Sequence, residues 1–119
     1  MSEQGKKVWF FPDGDLPAPG DSELKGHESL ILLNPNDTDA EITLTVYFTE
    51  REPEVLNAGQ VLAQRVRCIR TDEPVDGFQI PFGQYALKIE SSVGVVAQIG
   101  RMDVSQPNLA YYTTMGFGS

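Results

Sequence analysis

Residues 42 to 49 alternate strictly between apolar and polar side chains, and this pattern constrains the fold more than any other feature of the chain. A β-strand collects alternate side chains on one face, whereas a helix would scatter them around its axis. We therefore predict a half-buried strand with one face on a core and hydroxyl groups on the other. The apolar members are Ile42, Leu44, Val46 and Phe48.

Apolar or alternating runs recur along the chain, separated by clusters of Pro, Gly, Asn and Asp, which is typical of all-β proteins. The expected architecture is an antiparallel β-sandwich of seven or eight strands, forming a single domain over residues 1–119. The predicted strands are 6–11, 28–33, 41–49, 61–70, 84–91, 94–101 and 109–115, with a short eighth at 78–80.

Three polar segments separate predicted strands. Asn34–Asp37 is rich in residues that tolerate turn geometry and predicts a hairpin, and Ser91–Gly94 predicts a second turn. Pro12–Gly26 contains three prolines and three glycines, which predicts a long loop without regular structure.

Charge and composition narrow the functional classes. Nine Lys and Arg against 17 Asp and Glu give a net charge of -8, which argues against non-specific nucleic-acid binding. The apolar run Val8–Phe11 is too short for a secretory signal or a membrane span, so we expect a soluble cytoplasmic protein. The lone cysteine cannot form an intramolecular disulfide.

The candidates for catalysis are weak. His27 and Glu28 open a strand with side chains on opposite faces, and no second histidine completes a zinc motif. We interpret His27 as a structural or hydrogen-bonding residue and keep it as a candidate for ligand binding. Cys68 shares a strand face with Val66, which predicts a small core residue rather than a nucleophile. We therefore expect neither an enzyme nor a metal or cofactor site.

Charged residues on two strands are better candidates for binding. Arg65 and Arg67 share one strand face, where they either pair with carboxylates or bind a carboxylate, phosphate or sugar hydroxyl through the guanidinium fork. Arg101 and Asp103 share a face at the end of another strand, with Gln106 beyond them, and form either a structural ion pair or part of a binding site. Arg70 ends the same strand, and the carboxylates available to these arginines are Glu50, Glu52, Asp72 and Glu73.

Aromatic residues could complete such a site. Aromatic side chains on strands are first of all core residues, but alternation turns Trp9 away from Phe10 and directs either Tyr111 or Tyr112 outward. An exposed ring near Arg, Asp and Gln suits sugar binding, because the CH face of a sugar stacks on the ring while its hydroxyls bond to polar groups. Trp9 therefore joins the candidate ligand-binding residues.

The ordered motifs resemble the sensory rhodopsin transducer family, which is named after the soluble transducer of a cyanobacterial photoreceptor. They are an early Trp then Pro-x-Gly, a His-Glu before an apolar strand, a Leu-Asn turn, a tyrosine strand ending in Glu-Pro, a basic strand, and Arg-x-Asp-x-x-Gln after a valine-rich strand. The resemblance runs from near Trp9 almost to the C-terminus.

The resemblance implies a compact β-sandwich that assembles as a homo-oligomer, a ring-like tetramer, and acts as a non-enzymatic binding or signalling module. It also implies a small-molecule ligand, with sugars and related metabolites as the expected class, and allows peripheral contact with a membrane receptor. The alternatives are a structural adaptor that recognises a protein partner only, or an enzyme acting on a small sugar or acid.

Overall fold

The computed structural model describes residues 3–17, 26–103 and 110–119, and no helix occurs among them. The described residues form eight strands, so the predicted all-β class is confirmed. The strands are β1 (Lys6–Leu16), β2 (His27–Asn34), β3 (Ala40–Tyr47), β4 (Glu54–Val61), β5 (Arg65–Arg70), β6 (Gly83–Asp103), β7 (Ala110–Met115) and β8 (Phe117–Gly118).

The strands form two antiparallel sheets that share the longest strand. The first sheet has the order β4-β3-β6-β1-β8, and the second sheet joins β5, β2, β6 and β7. The first half of β6 pairs with β1 and β3, and its last part pairs with β2 and β7. Apolar residues from both sheets form one core, which gives the predicted sandwich.

The alternation in β3 places its side chains as predicted. Ile42, Leu44 and Val46 are buried, whereas Thr43 and Thr45 are only half-buried. Phe48 follows the end of β3 and is also half-buried, packed against the edge of the core. The strand orientation read from the sequence is therefore correct within β3.

A continuous strand of 21 residues, β6, replaces the two strands predicted at 84–91 and 94–101. The turn predicted at Ser91–Gly94 is wrong, because the chain stays extended there as it passes from the first sheet to the second. Gly94 serves close packing: a Cβ on it would lie 2.1 Å from the carbonyl oxygen of Gln4.

Asn34–Asp37 does not form the predicted hairpin. This segment joins β2 to β3, which lie in different sheets and do not pair with each other. Asn34 is fully buried, and its side-chain amide donates to the carbonyl oxygens of Thr38 and Val61 at 2.8 and 3.0 Å. The turn-forming residues indicate a change of direction but not the sheet to which the chain returns.

The predicted loop Pro12–Gly26 begins too early. β1 continues through Pro12 to Leu16, because a register shift between Phe11 and Gly14 accommodates the proline. The rest of the predicted loop lies largely outside the described residues.

Two further strand predictions also change. The strand predicted at 61–70 is the end of β4 and the whole of β5, separated by a turn in which Gln64 has a φ of 55°. At 78–80 the structure has only an isolated bridge between Val75 and Phe78. The eighth strand lies instead at Phe117–Gly118.

Cys68 is exposed, so the prediction of a core cysteine is wrong. Among the described strands β5 pairs only with β2, and its face carrying Val66 and Cys68 points away from the core. The opposite face carries Arg67 and the buried Ile69. The apolar neighbour suggested burial, but Val66 is itself 64% exposed.

Candidate functional site

A buried ion pair lies on the inner face of the second sheet, near the start of β2. Glu28 is fully buried and Arg101 is 8% exposed, and they are direct partners across β2 and β6. Direct partners on antiparallel strands point to the same face, so both side chains enter the sandwich. The Arg101 Nε donates a hydrogen bond of 2.7 Å to Glu28 Oε2.

Tyr85 reaches the same carboxylate from the first sheet. Its hydroxyl donates to Glu28 Oε1 and lies 3.3 Å from the Thr71 hydroxyl oxygen. Thr71 donates its backbone N–H and its hydroxyl to the carbonyl oxygen of Glu28, at 2.9 and 3.1 Å. Both carboxylate oxygens are thus hydrogen-bonded, as a buried carboxylate requires. We call Glu28, Thr71, Tyr85 and Arg101 the buried polar cluster.

The buried polar cluster also holds the end of β1. The Asp15 backbone N–H donates to Glu28 Oε2 at 3.3 Å, and Arg101 Nη2 donates to the Asp13 carbonyl oxygen at 3.1 Å. Between them, Gly14 packs on Tyr85 so closely that a Cβ would lie 2.7 Å from the ring. The cluster therefore fixes β1, β2 and both halves of β6 relative to one another.

The electrostatics of the buried polar cluster favour a structural role over a role in proton transfer. Burial raises the pKa of the Tyr85 hydroxyl far above its usual range, and the adjacent Glu28 charge raises it further. Tyr85 therefore remains a donor at neutral pH. A general base needs a position from which it can take a substrate proton, but both oxygens of the Glu28 carboxylate are already engaged.

Trp9 and His27 occupy other positions in the fold than the members of the cluster. Trp9 is buried in the core, and its indole N–H donates to the Val95 carbonyl oxygen at 2.9 Å. His27 begins β2 and is half-buried, and alternation turns it to the face opposite Glu28. Arg101 is thus the predicted site residue that the structure places in the cluster.

Arg65 and Arg67 lie in β5, where their guanidinium groups bind backbone carbonyl oxygens. Arg65 is exposed and donates to the Gln64 carbonyl at 3.1 Å. Arg67 reaches across to β4 and donates to the carbonyls of Ala58 and Gln60, the latter at 3.0 Å. The bonds of Arg67 cap carbonyls of β4, an edge strand in the described part of the first sheet, whereas the bond of Arg65 lies within the turn before β5.

One pairing of an arginine with an expected carboxylate does form in this region. Arg70 binds Asp72 in a bidentate pair with two bonds of 2.6 Å.

Two predicted residues cannot be placed in the site. Asp103 is the last residue of β6, but its side chain and the whole of Gln106 lie outside the described residues.

Within the described ranges, no group of three or more His, Cys, Asp or Glu could hold a metal ion. No helix in those ranges is long and apolar enough to cross a membrane.

Sequence reasoning misses Glu28 and Tyr85, although the strand pattern carries a signal for both. Glu28 shares its face of β2 with Leu30 and Leu32, and all three are buried. Tyr85 likewise shares a face of β6 with the buried Leu87. A charged residue in register with core leucines indicates a buried charge that needs a partner.

Comparison with known proteins agrees with this fold. The family model described as the Anabaena sensory rhodopsin transducer matches residues 4–118. The chain belongs to this family.

Among solved structures, that of the Thermotoga maritima 1070 protein is 33% identical to the chain. That match covers 97% of this chain and 96% of the other, with a TM-score of 0.87. The Anabaena sensory rhodopsin transducer itself is 28% identical, over 82% of this chain and 89% of its own, with a TM-score of 0.74. No curated protein matches the sequence significantly.

Proposed function

We propose that this chain is a non-enzymatic, cytoplasmic binding and signal-relay module that works as a homo-oligomer. The observation that carries the proposal is the buried polar cluster. Replacing a buried ion pair by apolar residues is often neutral or stabilising, so stability alone does not explain one in a small domain. The ion pair is explained if its role is to hold the end of β1 against both sheets. A ligand that binds at the end of β1 would then act on strands of both sheets.

The proposed ligand is a small neutral polyol, a sugar or a sugar acid, bound beside Arg101. The Arg101 guanidinium reaches the Asp13 carbonyl, and the neighbouring Asp13 and Asp15 side chains are exposed. Guanidinium and carboxylate groups together can bond to several hydroxyls of one sugar. The net charge of -8 opposes a strong polyanion. Asp103 and Gln106 remain predicted members of this site.

A thermal-shift screen of neutral sugars and sugar acids tests the proposal, followed by calorimetric titration of any hit. Arg101→Lys keeps the positive charge and removes the planar fork, so it should weaken binding about tenfold or more. Arg51→Lys is the matched control, because the Arg51 side chain is 51% exposed and pairs with Glu54, and Arg51 is not among the candidate binding residues. Titrations run at a temperature where both variants are folded. Equal affinity in wild type and Arg101→Lys would place the site elsewhere.

An exposed apolar row on the second sheet supports the proposed homo-oligomer. Leu33 pairs directly with Val66 on β5 and Val96 on β6, and the three are 43%, 64% and 44% exposed. Adjacent exposed apolar side chains of this kind mark interaction surfaces. A closed ring of identical subunits, proposed as a tetramer, would cover this row in every copy.

Light scattering tests the assembly. Leu33→Asp should lower the mass of the wild-type oligomer, whereas Val55→Asp should not, although Val55 is 66% exposed on the first sheet. A wild-type mass near 13.1 kDa, that of one chain, would refute the oligomer.

The second candidate function is an adaptor that recognises a protein partner only. The name of the Anabaena transducer supports a sensory receptor as that partner, contacted peripherally at the membrane. A screen without any small-molecule hit, together with specific binding to a receptor, would favour the adaptor. An enzyme acting on a small sugar or acid is the weakest alternative, because the buried polar cluster leaves no oxygen of Glu28 for a substrate.

A further inference from the structure

An open apolar groove crosses the outer face of the first sheet. Two adjoining cavities of about 330 and 260 Å³ form it, and they share Pro12, Tyr47 and Ala86 as lining residues. Tyr47 and Ala86 are direct partners across β3 and β6, so the small alanine forms a floor beside the tyrosine ring. Phe10 and Phe117 line the first cavity, whose walls are almost wholly apolar.

Glycines in the C-terminal segment bring Phe117 to this groove. Phe10 and Phe117 are direct partners across β1 and β8, and their side chains are 42% and 69% exposed. A Cβ on Gly116 would lie 2.6 Å from the Phe11 ring, so only glycine allows the chain to run this close to β1. Two large rings thus stand side by side in solvent, which is unfavourable unless something covers them.

Lys88 adds a positive charge at the groove. It is the direct partner of Phe10 across β6 and β1, and its Nζ lies 5.9 Å from the centre of the Phe10 ring. Its Nζ is 3.6 Å from Glu90, but both side chains are partly exposed, so water weakens this ion pair. An anion bound at the groove can therefore compete for Lys88.

We infer that the groove binds a planar aromatic carboxylate. The ring system would lie against Phe10, Tyr47 and Phe117, and the carboxylate would approach Lys88. The larger cavity falls within the range of roughly 300 to 1,000 Å³ that holds small molecules. A sugar fits this site poorly, because its hydroxyls would lose water against apolar walls that offer no replacement hydrogen bonds. The groove is thus separate in chemistry from the sugar site proposed beside Arg101.

Calorimetric titration with 2-naphthoate and its neutral analogue 2-naphthalenemethanol tests both parts of the inference. Phe10→Ser removes a wall and should weaken both probes about tenfold or more. Lys88→Gln should weaken naphthoate about two- to fivefold and leave the neutral analogue unchanged, since a partly exposed ion pair contributes little. Leu62→Ser is the matched control, because Leu62 is 54% exposed, lines neither cavity and lies outside the apolar row of the second sheet, so the change should affect neither probe.

Several results would overturn the inference. These are the absence of binding to wild type, equal weakening by Leu62→Ser and Phe10→Ser, or an equal effect of Lys88→Gln on both probes. Circular dichroism confirms that each variant is folded, and Phe117→Ser in the two-residue β8 replaces Phe10→Ser if the latter unfolds. If wild type binds neither probe and Phe10→Ser lowers the mass of the oligomer, a second copy of the chain covers the groove and the small-molecule site is excluded.

Discussion

Removal of the Arg101 charge should be among the most destabilising substitutions of a buried residue in this chain. Arg101→Met keeps an unbranched side chain but leaves the fully buried Glu28 without its cation. At an effective dielectric of about 20, a pair about 4 Å apart gains roughly 4 kcal/mol, which offsets the cost of dehydrating both ions. With one partner gone, the cost remains and the gain is lost. We expect the free energy of unfolding to fall by about 3 to 5 kcal/mol.

The double variant Glu28→Leu with Arg101→Met removes both charges and should be less destabilised than Arg101→Met alone. It still leaves the Tyr85 hydroxyl and the Asp15 N–H without their acceptor, which costs about 1 to 3 kcal/mol. The double variant should therefore be about 2 kcal/mol more stable than Arg101→Met alone, and its loss should be smaller than the sum of the losses in the two single variants.

Urea unfolding followed by circular dichroism at fixed protein concentration measures these free energies. Arg51→Met is the control, because the Arg51–Glu54 pair has a similar distance of 2.7 Å but side chains that are 51% and 37% exposed. It should cost less than about 1 kcal/mol. A loss in Arg101→Met no larger than in the control, or additive effects of the two cluster changes, would refute the reasoning.

Three further changes test other parts of the structure. Because the pKa of Tyr85 is raised, above about pH 10 the unfolded chain releases this proton before the folded chain does, so stability should fall with pH by roughly 1.4 kcal/mol per unit. Tyr85→Phe should lose this slope in urea unfolding at alkaline pH, and an unchanged slope would contradict the assignment. Gly14→Ala should cost about 1 to 3 kcal/mol in the same assay by displacing the Tyr85 ring, whereas Gly77→Ala, with open space around it, should cost about 1 kcal/mol from its positive φ alone. Leu44→Ala should cost about 2 to 5 kcal/mol and Thr45→Ala much less, and equal losses would reverse the orientation of β3.

Most strands of this fold were predictable because their apolar residues alternate, but β4 was missed except for Val61. In β3, apolar and polar residues alternate with a period of two. This pattern predicts both the strand and its buried face without information from the rest of the chain. The pairing of strands was not predictable in the same way. Asn34–Asp37 looks like a hairpin and Ser91–Gly94 looks like a turn, because Asn, Ser and Gly also serve crossovers and close packing. Only the distant partners, such as Gln4 against Gly94, distinguish these uses.

The candidate site was predictable only in part, for a related reason. Arg101 attracted notice as a cation at a strand end, and its expected partner was Asp103, two residues away. The side chain of Asp103 lies outside the described residues, so that pairing stays a prediction. Within the described residues, Arg101 pairs with Glu28, a direct partner on the neighbouring strand. A side chain on a strand has neighbours two residues away and across the ladder, and the sequence alone reveals only the first kind.

The continuity of β6 would allow the cluster to act in the proposed relay. Tyr85 belongs to the half of β6 that pairs with β1, and Arg101 belongs to the half that pairs with β2, yet both bind Glu28. Two separate strands joined by a turn could each shift without moving the other. The two halves of an unbroken strand cannot shift independently when both bind the same carboxylate. Displacing Asp13 or Gly14 at the end of β1 would move Arg101 or Tyr85, and so would strain both sheets. The extended segment at Ser91–Gly94, which the sequence suggested was a turn, is therefore the feature that couples the two sheets.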